Sequence, residues 1–301
     1  VGGNTLGSLT INTDFAETEV DTRRTNLTRF PLLFPEKRTF FLENSDIFDF
    51  GLGLGSSSGS SGDVIPFFSR RIGLVNGREV PIIAGGKVNG RRGSTNFGGL
   101  VIGTNDEEGV VADEAVMTVG RVKQNLWRES WIGGIATVGD PLGQSGRWLA
   151  GGDFTYATSR FRGDREFTLV PMYFLVGVWG LATDRTRGDD ATAAGFKVDY
   201  PNDEWDIALT YKRIGEDFEP AVGFVPRRAV QLINLGIDNR TRIAGGPFQQ
   251  LTHELRPSLA LDLAGRWESY RVFFAPINWR FRSGDRFEVN ALATGRDAAE
   301  L

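Results

Sequence analysis

Glu36, Lys37, Arg38 and Glu43, with Arg70 and Arg71 further on, are charged side chains set among apolar ones: Phe34, Phe40, Phe41 and Leu42 flank the first four. An ion pressed against apolar packing is costly unless it is paired. The spacing therefore favours a paired structural ionic network, folded into a polar interior, over a substrate site, and a solvated turn is the plainer alternative. The remaining chemistry is sparse. The single histidine, His253 in LTHEL, has no second His or Cys to share a zinc ion, and a Ser-His-Asp triad would have to use this same residue. The carboxylates Asp106, Glu107 and Glu108, and the pair Asp189 and Asp190, could in principle hydrolyse glycosides or hold calcium. They adjoin glycines at turns, where solvated charge is the commoner meaning. The run Gly51 to Gly62 lacks the Lys-Ser/Thr of a phosphate loop and reads as a flexible linker. No catalytic, cofactor or metal site is expected, and the chain does not read as an enzyme.

The elements that must carry these residues are strands. In Trp205 to Arg213 the apolar set Trp205, Ile207, Leu209 and Tyr211 alternates with Asp206, Ala208, Thr210 and Lys212. The same period is read in Phe273, Ala275, Ile277, Trp279 and Phe281 against Phe274, Pro276, Asn278, Arg280 and Arg282. It recurs from Phe287 to Thr294 and from Trp148 to Tyr156. Such alternation is what a membrane-spanning strand requires, one face to lipid and one to a lumen. Asp206, Lys212, Arg280 and Arg282 are the expected lumen-facing charges. Weaker strands are expected at 81–89, 96–104, 116–123, 131–138, 195–200, 229–238 and 258–266, separated by turns such as Asn76-Gly77, Asn89-Gly90, Arg162-Gly163-Asp164 and Ser283-Gly284-Asp285. The apolar stretch Phe167 to Ala182 is too short for a spanning helix and contains Pro171 and Gly177, so it is read as strand. Pro35-Glu36-Lys37-Arg38 is read as a short helical turn with proline first.

Composition agrees with an all-β chain. In 301 residues there are 39 Gly, 22 Phe and 7 Trp, a glycine- and aromatic-rich balance typical of barrels and sandwiches. A net charge of −4 argues against nucleic acid as a partner. The absence of Cys excludes disulfides and thiolate chemistry.

The segments INTDFAETEVD (Ile11 to Asp21), NLTRFPLLFPEKRTFFLENSDIFDF (Asn26 to Phe50), PFFSRRIGL (Pro66 to Leu74) and FEPAVGFVPR (Phe218 to Arg227) resemble the domain-of-unknown-function family 5916. That resemblance implies an outer-membrane β-barrel of Gram-negative bacteria, often following a carbohydrate-binding-like domain of family 9. The expected fold is an antiparallel up-and-down transmembrane β-barrel. Residues 1–62 hold the signature and linker, and 63–301 hold the meander. With neither that module nor a terminal aromatic strand, the chain reads as a fragment. The expected function is a pore, anchor or transport conduit linked to carbohydrate handling, with membrane lipid or lipopolysaccharide around it and carbohydrate as a possible ligand. The alternative is a soluble β-sandwich or propeller binding or hydrolysing glycans through exposed tryptophans such as Trp127, Trp131 and Trp179.

Overall fold

The computed structural model describes residues 4–12, 31–52, 64–75, 77–110, 113–161 and 172–297. Most of INTDFAETEVD, the start of the Asn26–Phe50 segment, most of the Gly/Ser run, Asn76, Arg162-Gly163-Asp164 and Phe167 to Pro171 lie outside them. The described chain is almost wholly β. Strand β1 (Asn4–Ile11) is followed by one helical turn, α1 (Thr39–Leu42), and by 3-10 turns at Ser45–Phe48 and Ser69–Arg71. A two-stranded ribbon, β2 (Leu74–Val75) and β3 (Arg78–Glu79), comes next. The meander continues with β4 (Ile82–Arg92), β5 (Thr95–Thr104), β6 (Ala115–Leu126), β7 (Ser130–Val138), β8 (Trp148–Thr158) and β9 (Phe174–Thr183). It ends with β10 (Thr192–Pro201), β11 (Trp205–Ile214), β12 (Val230–Arg242), β13 (Phe248–Leu261), β14 (Trp267–Phe281) and β15 (Arg286–Arg296).

Thirteen strands form one up-and-down antiparallel sheet in the order β1-β4-β5 and then consecutively to β15. The expected closed barrel is not what the described strands make: β1 pairs with β4 and β15 with β14, and both are sheet edges. In an up-and-down sheet the first and thirteenth strands run the same way, so they cannot complete an antiparallel ladder with each other. No described helix is long and apolar enough to cross a membrane.

The chain divides into two compact units. One comprises 1–154, 179–193 and 215–228; the other comprises 155–178, 194–214 and 229–301. In the first, β6 shows the governing pattern: Ala115, Met117, Val119 and Arg121 are buried, while Val116, Thr118, Gly120 and Val122 between them are exposed. The buried face is covered by the signature segment. Phe41, Phe48 and Ile72 pack with Ile82, Leu100, Ile102, Met117 and Val119, joined by Val222 from Phe218 to Arg227. Gly98 on β5 is essential to this approach, because a Cβ there would stand 2.8 Å from Ile47 of the 3-10 turn. Ile65 and Phe224 exchange backbone hydrogen bonds of 2.9 and 2.8 Å, fixing the Phe218–Arg227 stretch to the signature's second half.

In the second unit the alternation is interrupted. Thr252 pairs with Asn278 but Glu254 with Ala275, and Phe274 pairs with Ala291 but Ile277 with Val289, so β14 carries one extra residue at Ala275-Pro276. Phe273 and Ala275 therefore share a face with Glu254 and Arg256, and not with Ile277, Trp279 and Phe281 as the unbroken period predicts. Proline lacks the N–H that a ladder position needs, which suits Pro276 to such a bulge. Several boundaries also moved. The strand expected at 258–266 begins at Phe248 and ends at Leu261, with 262–266 forming the turn. The helical turn expected at Pro35 to Arg38 lies one step later, at Thr39–Leu42, because the Glu36 carboxylate itself takes the N–H groups of Lys37 and Arg38, both at 2.9 Å.

Candidate functional site

The signature charges resolve into separate arrangements. Glu36 and Arg38 form a doubly bonded pair, Nε to Oε1 at 3.0 Å and Nη2 to Oε2 at 2.8 Å. Arg38 is 2% exposed. Its remaining donors reach the carbonyls of Ile72 (2.7 Å) and Ser69 (2.9 Å), and its guanidinium lies 4.1 Å from the Phe41 ring centroid. Ser69 adds a hydroxyl to Glu36 at 2.7 Å. Burial alone would raise the Glu36 pKa; the hydrogen bonds and charge of Arg38, with Ser69, outweigh it and hold the carboxyl below its ordinary value. Arg70 donates to the Pro35 carbonyl at 2.9 Å and faces Phe34, while Arg71 donates to Gly223 at 3.2 Å. Lys37 is half-buried beside this pair. Glu43 belongs elsewhere: it accepts from Ser8 at 2.9 Å and lies 4.0 Å from the buried Lys87, whose ammonium donates to the carbonyls of Phe40 (2.6 Å) and Glu43.

Two buried ionic centres in the same unit were not anticipated. Arg121 on β6 and Asp153 on β8 form a bidentate pair at 2.6 and 2.9 Å, with side-chain exposures of 1% and 2%. Arg121 also donates to Asp49 O (3.2 Å) and faces the Phe50 ring, and Asp153 accepts from Gly51 N (3.2 Å). The pair thus ties the signature segment to the sheet. Gly133 leaves room for it, since a Cβ there would lie 2.5 Å from the Arg121 guanidinium. The sequence did hold a signal: Arg121 stands at a position whose strand neighbours, Met117 and Val119, are apolar. Arg147 is the second centre. It bonds Asp184 at 2.9 Å and the Glu219 carbonyl at 3.0 Å, and lies 3.7 Å from Asp140. It thereby joins three turns. Asp184 also accepts from Thr186 and from Trp148 N. Burial would raise its pKa, but these hydrogen bonds and Arg147 lower it.

In the second unit, Asp206 and Lys212 lie on one face of β11, opposite Asp238 and Leu232 of β12. That face carries a ladder of charges: Arg240 lies 3.7 Å from Asp206 and 3.6 Å from Asp238, and Arg256 bonds Asp238 at 2.8 Å and Glu254 at 3.1 Å. Arg280 lies opposite Gln250 and Arg286, and is exposed. Arg282 sits past the end of β14, donating to Ile243 O at 2.7 Å. His253 is exposed, and its Nδ1 lies 2.6 Å from the Pro276 carbonyl at the bulge.

Of the tryptophans, Trp127 is 77% exposed, Trp131 lies under the Lys123 ammonium at 4.2 Å, and Trp179 is buried, contrary to its expected exposure. Its position on the covered face of β9, in line with Leu181, accounts for that. Among the described residues no group of three or more His, Cys, Asp or Glu could hold a metal ion.

The two halves of the signature, residues 31–52 and 64–75, thus converge on one face of β4 to β6, held by Arg38, Lys87 and Arg121. Residues 5–82 match the family model DUF5916, a domain of unknown function. The DUF5916 match takes in β1, the Glu36–Arg38 pair, Glu43, Arg70 and Arg71, and ends as β4 begins; Phe218 to Arg227 lies beyond it and packs back onto it. No curated protein and no solved structure matches the chain.

Proposed function

We propose that this chain forms wall and plug of an outer-membrane β-barrel that acts as an anchor or a conduit linked to carbohydrate handling. The observation that carries the reading is the apolar outer face of the sheet in the first unit. It presents Val88, Val101, Val116, Val122, Ile132 and Val138, each 43–64% exposed, while the covered face packs its own apolar core beside the paired Lys87, Arg121 and Asp153. A water-soluble antiparallel sheet turns its polar face outward and its apolar face in. Lipid around the exposed apolar face and lipopolysaccharide at its rim account for that outer face.

The second unit supports the same reading. Phe248, Trp279 and Phe287 gather at one end of β13 to β15, with ring centroids 5.4 and 6.2 Å apart, and Trp267 and Tyr270 mark the other end. Aromatic belts at two levels fit a bilayer's two interfaces. An antiparallel closure of the ladder takes a further strand. The charged ladder around Asp206, Asp238, Glu254, Arg240 and Arg256 lines the passage and sets its electrostatic preference. The test is refolding with and without detergent, read by circular dichroism and by gel mobility before and after boiling. A heat-modifiable β-rich species formed only with detergent supports the reading. A stable monomeric β-fold in plain buffer overturns it.

A further inference from the structure

One group of polar side chains in the first unit stands apart from the paired network around it. Residue Asn44 takes the left-handed conformation (φ 52°) just before the 3-10 turn, a geometry asparagine tolerates better than most residues. Because Gly98 admits Ile47 against β5, this turn holds Asn44 and Asp46 over the ends of β4 and β5. Two steps past the buried Lys87, the same face of β4 carries Asn89, opposite Gly98, and Arg91, opposite Asn96. Edge strand β1 supplies Asn4. Together they line a cleft of about 590 Å³, within the usual range for small-ligand sites.

On the same face Lys87, Arg121 and Asp153 are matched. Here the Asn89 Oδ1 is shielded from solvent and accepts no hydrogen bond. Among the described residues the side chains of Asn4, Asn44, Asp46 and Asn96 make no hydrogen bond or ion pair, and Arg91 uses only its Nε, toward Gly93 O at 3.0 Å. Primary amides both donate and accept, and Asp46 and Arg91 are opposite in sign. The cleft is therefore dense in both halves of a hydrogen bond and has no net charge.

We propose that this cleft binds a neutral saccharide. Each sugar hydroxyl donates and accepts at once, which is what neighbouring amides and a carboxylate satisfy, and Ile47 and Leu6 give an apolar floor for the C–H face of a ring. An anionic ligand would meet Asp46, and a cationic one Arg91. The inference rests on the cleft alone and holds whether or not the sheet lies in a membrane.

The test is isothermal titration of the full chain, in whichever medium keeps it folded, with maltotriose, cellotriose, laminaritriose, xylotriose and chitotriose, and with trigalacturonic acid as the charged comparison. At least one neutral trisaccharide is expected to bind with Kd of about 1 mM or tighter. Asn89→Leu, which removes the unpaired acceptor, is expected to weaken that binding at least about tenfold. Asp46→Ala and Asn44→Gly, at exposed positions, carry the test if Asn89→Leu does not fold. No binding by any neutral sugar, tighter binding of trigalacturonic acid, or binding unchanged by the variants would overturn the proposal. The gel assay of the barrel reading is independent of these heats, so the two can fail separately.

Discussion

Asp153→Ala should be among the most damaging single substitutions in the chain. The carboxylate makes two short bonds to Arg121, at 2.6 and 2.9 Å, and both partners are essentially sealed from solvent. Removing it leaves a buried guanidinium whose remaining described contacts are the Asp49 carbonyl and the Phe50 ring, and it frees Gly51 N. Breaking a buried pair from one side costs about 3–5 kcal/mol. Arg121→Met should cost a similar amount by stranding Asp153. The double variant Arg121→Met/Asp153→Leu leaves no unpaired ion, only the Asp49 carbonyl and Gly51 N–H to satisfy, at about 1–3 kcal/mol. The sum of the single losses, about 6–10 kcal/mol on the same principle, should thus exceed the double loss by several kcal/mol. Urea unfolding of the folded band, followed for all four proteins, measures that coupling. Additivity within about 0.5 kcal/mol would refute the reasoning, because independent sites behave that way.

Lys87→Met should release the Phe40 and Glu43 carbonyls and speed amide exchange across residues 40–48, with a stability loss of about 1–3 kcal/mol; unchanged exchange there would contradict the role given to Lys87 in holding this segment to the sheet. Glu36 gives a pH dependence of definite sign. Its folded pKa lies below the unfolded value of about 4.3, so its contribution is fully present above that value and is lost as pH falls through the folded pKa. An acid titration of stability should show this loss in the parent and less of it in Glu36→Gln. Deleting Pro276 should collapse refolding yield, because it moves half of β14 onto the wrong face. Pro276→Ala keeps the extra residue and should cost no more than about 1 kcal/mol; equal yields of the two variants would remove the bulge from the account.

The strands were legible because their side-chain period survives in single segments: Trp205 to Ile214 appears almost where its alternation placed it. The bulge was not legible, since Phe273 to Phe281 reads as one unbroken alternation until pairing with β13 and β15 shows the extra residue. Glu36 and Arg38 could be anticipated because they are close in sequence and flanked by aromatics. Arg121 and Asp153 are 32 residues apart, and only the register of β6, β7 and β8 brings them together. The three acids at Arg147 come from separate turns, which local pattern cannot join. The amide cleft combines an edge strand, a left-handed asparagine and a β4–β5 hairpin, none of which is distinctive alone.

The most direct test of the proposed membrane face uses the absence of cysteine from the sequence. Single cysteines at Val116, Thr118 and Val122 on one face of β6, and at Met117 and Val119 on the other, are placed in the full chain refolded into lipid vesicles and treated with a water-soluble maleimide and a bilayer-soluble one. The account predicts that the exposed-face positions 116, 118 and 122 react with the bilayer-soluble reagent and are protected from the aqueous one, while 117 and 119 resist both. Rapid aqueous labelling at 116, 118 and 122 would contradict it.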